Sequence, residues 1–354
     1  MIELDDLQAV AEGDPGGMRE RIAELPRQCR EAWTLAGGLE VDAPYRRVSQ
    51  VAILGMGGSA IGGALLAGLV ADECRLPIVS VAGYDLPAHV GPDTLVLASS
   101  YSGDTEETLS ACAQALERGC RLVAVTTGGR LAALAEQERF PLLRFQYPAS
   151  PRASLGYSLV LLLGLFCRLG LLRDYGADLE EAVTVMEGWQ QEIRPEVAMA
   201  HNAAKFLAAR LLSRLPVVYG AGFLSAVARR WKGQFNENSK QWAFWEELPE
   251  LNHNAVVGYA LPSPASQPMY VIMLRSSFDH RRVQARWEVT QELLQQAGVA
   301  HETICGRGQC RLAQMLSLIH FGDYVSLYLA LLNEADPSPV PPIVYLKRRL
   351  AEMP

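Results

Sequence analysis

The chain has 354 residues, beyond the usual reach of one hydrophobic core, and its 49% hydrophobic content is enough to fill two. A formal charge of −7, from 39 acidic against 32 basic side chains, argues against nucleic acid or an anionic membrane as the partner. Seven cysteines without a Cys-x-x-Cys pair, and a start (Met1-Ile2-Glu3-Leu4) with neither a basic nor an apolar leader, predict reduced thiols and a cytoplasmic protein.

From residue 51 onward, short apolar runs alternate with helical patterns. Strands are predicted over 51–54, 77–81, 94–99 and 121–126, and helices over 60–69 and 106–118. Continuously apolar strands suit a parallel sheet covered on both faces, and hence a doubly wound α/β domain. The most apolar stretch, 159–172, contains Arg168 and is shorter than the ~20 residues that span a bilayer, so it reads as a buried helix.

Residues 179–212 are helical in pattern, with Pro195 as a break. A strand over 215–219 then runs into Gly220-Ala221-Gly222 and a helix from near Ser225, echoing the segment from 51 to 59. The echo predicts a duplicated domain, with the division at 1–172 and 173–354. A strand over 270–274, a helix over 281–298, a short strand near Ile304 and a long helix over 312–332 follow. The prolines of 336–342 are expected to exclude helix until a last one over 343–350.

Two loops carry the first chemical signal. Gly55-Met56-Gly57-Gly58-Ser59 follows a strand and opens a helix, where free amides and the positive end of the helix dipole receive an anion. A dinucleotide fingerprint competes, since Gly55, Gly57 and Ala60 fit its spacing, but the acidic residue for a ribose is missing where the next strand ends, and Asp85 comes late. The second loop, Ser99-Ser100-Tyr101-Ser102-Gly103-Asp104-Thr105, also joins a strand to a helix and offers hydroxyls at Ser100, Ser102 and Thr105. Either loop alone could be an ordinary capped turn. Together they predict a cradle for one phosphate, with Gly57, Gly58, Ser59, Ser100, Ser102 and Thr105 as its ligands.

The two loops resemble those of the sugar isomerase (SIS) domain family. Pro151-Arg152-Ala153-Ser154-Leu155-Gly156, Phe235-Asn236-Glu237-Asn238-Ser239-Lys240 and Leu248-Pro249-Glu250-Leu251-Asn252-His253-Asn254 are similar to the matching segments of the bifunctional phosphoglucose/phosphomannose isomerase family. The resemblance implies two α/β/α sandwich domains of the SIS type with mainly parallel sheets. It also implies an aldose–ketose isomerase that interconverts glucose 6-phosphate and fructose 6-phosphate, and mannose 6-phosphate too, without a cofactor.

Such a reaction moves one proton between C1 and C2 through a cis-enediol(ate), so one carboxylate within reach of both carbons is the minimum equipment. The resemblance gives that role to Glu237, whose alternative is a solvated acid at a helix start. It gives Arg152 the neutralisation of the enediolate oxygen and His253, sixteen residues after Glu237, the opening of the sugar ring from the neighbouring subunit of a homodimer. Ala255 stands where an acid commonly follows. Lys347 matches a lysine beside the sugar, and Ser338 a position often held by threonine, without an assigned role. No histidine has metal-ligand spacing, so no metal is expected. Other readings are a heptose or amino-sugar phosphate isomerase on the same fold, a non-catalytic sugar-phosphate sensor, and a nicotinamide dehydrogenase built on the glycine loop alone.

Overall fold

The computed structural model describes residues 2–261 and 268–353. Three helices outside the predicted elements come first: α1 (Leu7–Gly13), α2 (Met18–Ala23) and α3 (Leu25–Gly37). A parallel sheet follows, with β1 (Gln50–Leu54), β2 (Ile78–Val81), β3 (Thr94–Ser100), β4 (Arg121–Thr126) and β5 (Leu142–Arg144) in the order β2-β1-β3-β4-β5. The helices α4 (Gly57–Leu69), α5 (Glu106–Glu117) and α6 (Gly129–Glu138) connect them.

α7 (Leu155–Leu169), α8 (Gly176–Ile193) and α9 (Ala203–Leu211) lead to a second parallel sheet. Its strands β6 (Leu215–Ala221), β7 (Phe244–Leu248), β8 (Met269–Arg275) and β9 (Ala300–Cys305) take the order β7-β6-β8-β9. That is the order of the first sheet less its last strand, and the likeness extends to the turn: Gly57 after β1 has φ +51° and Gly222 after β6 has φ +52°. α10 (Ser225–Glu237) and α11 (Arg281–Gln296) belong to this unit, and α12 (Arg311–Leu332) and α13 (Pro341–Ala351) end the chain.

The strands are apolar at successive positions because both faces are covered. Val51, Ile53, Leu95 and Leu97 point into a central core, whereas Ala52, Leu54, Val96 and Ala98 point into an outer one. Alternate residues of the second sheet divide in the same way: Val218, Ile272 and Leu274 join the central core, and Val217, Tyr219, Val271 and Met273 a third cluster. The central core is therefore shared by the two sheets, with α7 and α12 inside it.

α12 is long and apolar enough to cross a membrane by length and composition, yet it is buried throughout the protein, as expected of a helix that is hydrophobic all round. One expectation is corrected here. The prolines do not exclude helix up to residue 342, since Pro341 and Pro342 are the first residues of α13. Proline is compatible with that position because the first amides of a helix have no intrahelical acceptor and its φ is already helical.

Candidate active site

In the order β2-β1-β3 the chain reverses direction of travel between β1 and β3, which opens a crevice beyond their carboxyl ends. Both predicted loops meet there. Buried Ser59 accepts, through Oγ, the amide of Tyr101 at 3.1 Å, tying the first loop to the second. Ser100 Oγ lies 2.9 Å from Thr105 Oγ1 and accepts the Gly103 amide at 3.1 Å; Ser102 Oγ accepts the Asp104 amide at 3.2 Å. These hydroxyls thus shape the turn, and Gly57 and Gly58 open α4, where the first amides of a helix have no intrahelical acceptor.

Beside the crevice is a cavity of about 200 Å³ lined by Gly57, Gly58, Arg152, Glu237 and neighbouring residues of α10. Gly58 is required for closure: a Cβ there would sit 2.9 Å from the carbonyl carbon and oxygen of Pro151. The backbone contact sets the end of α4 directly against Arg152.

The Arg152 side chain is 4% exposed, and its guanidinium is fixed on several sides. Nε donates to Asn238 Oδ1 at 2.7 Å, and Nη2 donates to the carbonyls of Pro337 at 2.7 Å and Ser338 at 2.8 Å. Nη1 faces Glu237 Oε2 at 3.5 Å. Burial pulls the arginine pKa down, and the Glu237 charge opposes it. Glu237 is the last residue of α10 and not a helix-start acid, and its side chain is 33% exposed, held toward the cavity by the arginine.

A second buried arginine supports the first. Arg230 Nη2 donates to Asp323 Oδ2 at 2.7 Å and to the Arg152 carbonyl at 3.3 Å, and Gln234 donates to the other Asp323 oxygen at 2.9 Å. Burial pushes the Asp323 carboxyl up in pKa, and Arg230 opposes the shift. Lys240, in the left-handed region at φ +54°, donates to the Glu237 carbonyl at 2.5 Å; burial and the nearby Arg152 charge lower its pKa.

The remaining predicted residues lie elsewhere in the single chain. His253 is exposed at the end of a short 3₁₀ turn, Glu250–His253. Of its neighbours, Asn252 bonds Thr290 and Arg286, and Asn254 bonds Glu250. Lys347 is exposed on α13. Ser338 contributes its carbonyl to Arg152, and its own amide donates to Asp336.

Arg229, Lys232 and Trp245 also line the cavity, and sequence reasoning passed over them. Arg229 and Gly233 precede Glu237 by eight and four residues, so helical spacing alone puts them on its face. Trp245 comes from edge strand β7, which carried no strand signal.

Residues 200–350 match the family described as the bacterial phospho-glucose isomerase C-terminal SIS domain. The chain is 42% identical over 337 residues to the bifunctional phosphoglucose/phosphomannose isomerase of Caldicellulosiruptor bescii, covering 95% of this chain and 99% of that protein. It is 35% identical over 308 residues to the protein of the same name from Aquifex aeolicus, covering 87% and 91%. Among solved structures, the C-terminal domain of glucosamine-fructose-6-phosphate aminotransferase from Francisella tularensis shares the fold, with a TM-score of 0.74 at 12% identity, covering 91% of this chain and 98% of that one.

Proposed function

The chain belongs to the bifunctional phosphoglucose/phosphomannose isomerase family, and from that premise we propose that its cavity interconverts fructose 6-phosphate with glucose 6-phosphate and mannose 6-phosphate, with Glu237 as the base. The observation that carries the assignment of roles is the pairing of Glu237 and Arg152 at 3.5 Å in the lining of a cavity that also includes the amide end of α4. A half-buried carboxylate supplies the mobile proton site, and an immobile guanidinium supplies the charge partner.

The Glu237 carboxylate takes a proton from C1 of the open-chain ketose. The electron pair left behind forms the C1–C2 double bond, and the C2 carbonyl oxygen takes the negative charge. Arg152 stabilises that oxygen in a site where its other donors are already committed, so no reorganisation is needed during the step. Returning the proton to C2, with a hydroxyl proton passing between the two oxygens, gives the aldose. Which epimer forms depends on the face of C2 that receives the proton.

A cavity of about 200 Å³ is below the roughly 300 Å³ of common ligand sites, so the phosphate end extends into the adjoining crevice. There the amides of Gly57 and Gly58 and the hydroxyls of Ser59, Ser100, Ser102 and Thr105 serve as donors. Ring opening needs a group that can both donate and accept a proton, and we assign it to His253 supplied by the second subunit of a homodimer. His253 is exposed on its own subunit, which supports that assignment. Lys347 is assigned to the sugar's surroundings in the same assembly. The unpaired thiols suit a reducing cytoplasm.

The direct test is incubation of the protein with fructose 6-phosphate in deuterated water, followed by proton NMR. Both aldose phosphates are expected, with deuterium at C2. If neither aldose forms and no hydrogen at C1 exchanges, the proposal fails; glucose 6-phosphate alone would limit it to one epimer.

A further inference from the structure

We propose that the cavity carries a second anion subsite, formed by Arg229 and Lys232 of α10, which takes a phosphate esterified at O1 of the sugar, so that a ketohexose 1,6-bisphosphate binds there as an inhibitor. The proposal rests on the reading that the crevice holds the 6-phosphate and Glu237 faces C1 and C2, and adds a further ligand of the same site.

The cavity lining is unbalanced in charge. Arg152, Arg229, Arg230 and Lys232 belong to it, against the single acid Glu237. Arg152 faces Glu237 at 3.5 Å, and Arg230 pairs with Asp323 at 2.7 Å. Exposed Arg229 and half-buried Lys232 have no hydrogen-bonded, ion-paired or ring partner among the described residues. Two unmatched positive charges in one concave surface attract a dianion, and an arginine fork beside a lysine point charge is a donor set for phosphate. The 6-phosphate leaves them unused, because its donors are the amides that open α4 and the hydroxyls of the crevice.

Their place along α10 fixes which end of the sugar they meet. α4 and α10 run antiparallel: Gly57 and Gly58, at the start of α4, share the lining with Glu237, the last residue of α10. At the other end of α4, a Cβ on Gly68 would lie 3.4 Å from the Cα of Phe223, just before α10. With a rise of about 1.5 Å per residue, Lys232 and Arg229 therefore stand roughly 8 and 12 Å from Glu237 along the helix, away from the amide end. C1 is the end of the sugar chain, so a group on O1 continues past Glu237 in that direction.

Gly233 keeps the way open. It lines the cavity four residues from both Arg229 and Glu237, on the same helix face. Glycine inside a helix is less stable than alanine, and packing does not demand it here, since a Cβ would meet nothing within 4 Å. A 1,6-bisphosphate seated along this face cannot turn over. Isomerisation makes C1 a carbonyl by removing the O1 proton, and in the bisphosphate O1 is an ester. Phosphoryl transfer to O1 of the ketose 6-phosphate produces this ligand, so a reaction that consumes the ketose returns an inhibitor to the site.

The test is isothermal titration calorimetry on the full chain, at constant ionic strength, with fructose 6-phosphate and fructose 1,6-bisphosphate. The wild type is expected to bind the bisphosphate at least tenfold more tightly than the monophosphate. In Arg229→Gln/Lys232→Gln that preference is expected to shrink to within about twofold. Gly233→Leu, which adds a side chain where there is open space, is expected to remove it as well without a change in circular dichroism. Arg46→Gln/Arg75→Gln takes the same charge from a cleft before the amino ends of β1 and β2, opposite the crevice, and is expected to keep the preference. A wild type without the preference, a site variant that retains it, or a control that loses it overturns the proposal and leaves the isomerase reading standing. A wild type that binds neither sugar phosphate overturns both.

Discussion

The proposed roles divide the chemistry between Glu237, a group that must move a proton, and Arg152, one that must not move at all. Glu237→Gln keeps the shape and removes the base, so kcat is expected to fall by about 10²–10⁴-fold, with KM within about twofold of the wild type. Steady-state kinetics on fructose 6-phosphate decides it, and an unchanged kcat would remove Glu237 from the role. Arg152→Lys keeps the charge but not the planar fork that serves Asn238, Pro337 and Ser338 together. With buried acceptors left unpaired, urea denaturation is expected to show a loss of about 2 kcal/mol, accompanied by lower kcat/KM. Unchanged stability would mean that the arginine is not a structural keystone. At this scale the sequence shows the chemical groups and conceals their supports. Glu237, Arg152 and the glycine loop stand out by motif, whereas Asp323, which holds Arg230 beneath Arg152, sits in an apolar helix with no local sign of its distant partner.

Elements were legible where burial is uniform. The strands of the first sheet read as apolar runs because both faces are covered, and α12 reads as a long apolar helix for the same reason. β7 was not legible: Phe244, Glu246 and Glu247 are exposed on an edge strand, so neither a continuous nor an alternating apolar pattern results. The start of α13 was obscured by prolines that sit where helices tolerate them. At the end of α4, Gly58→Ala would press a methyl group onto the Pro151 carbonyl. The loop carrying Arg152 must then shift, with an expected cost of about 1–3 kcal/mol and reduced turnover; a fully active, equally stable variant would show the close approach to be dispensable. α12 also carries a pH dependence. His320 is buried, with Nε2 3.1 Å from the Ile22 carbonyl, and burial lowers its pKa from 6.5 to about 4. The unfolded chain therefore binds more protons between these values, so the stabilisation is present above pH 6.5 and is lost as pH falls toward 4. Linkage gives roughly 2 kcal/mol of lost stability between about pH 7.5 and 5 from this residue. His320→Gln should flatten that slope in denaturation curves, and an equally steep slope in the variant would refute it.

The whole molecule repeats one α/β unit, yet the two sheets do not own separate interiors. Val51 and Leu97 from one and Val218 and Ile272 from the other contribute to a single cluster around α7 and α12. The N-terminal segment crosses between them as well: Asp5 pairs with Lys205 at 2.9 Å, and the Ile22 carbonyl meets His320. Independent domains would unfold in two steps because few apolar contacts link them. A shared core removes that independence, since opening either sheet exposes the inner face of the other. Tryptophan fluorescence and far-ultraviolet circular dichroism are therefore expected to report coincident urea transitions. Four of the six tryptophans, Trp231, Trp242, Trp245 and Trp287, belong to the unit of the second sheet, whereas the backbone signal averages over both, so a fluorescence transition that departs from the circular dichroism would reveal separable halves.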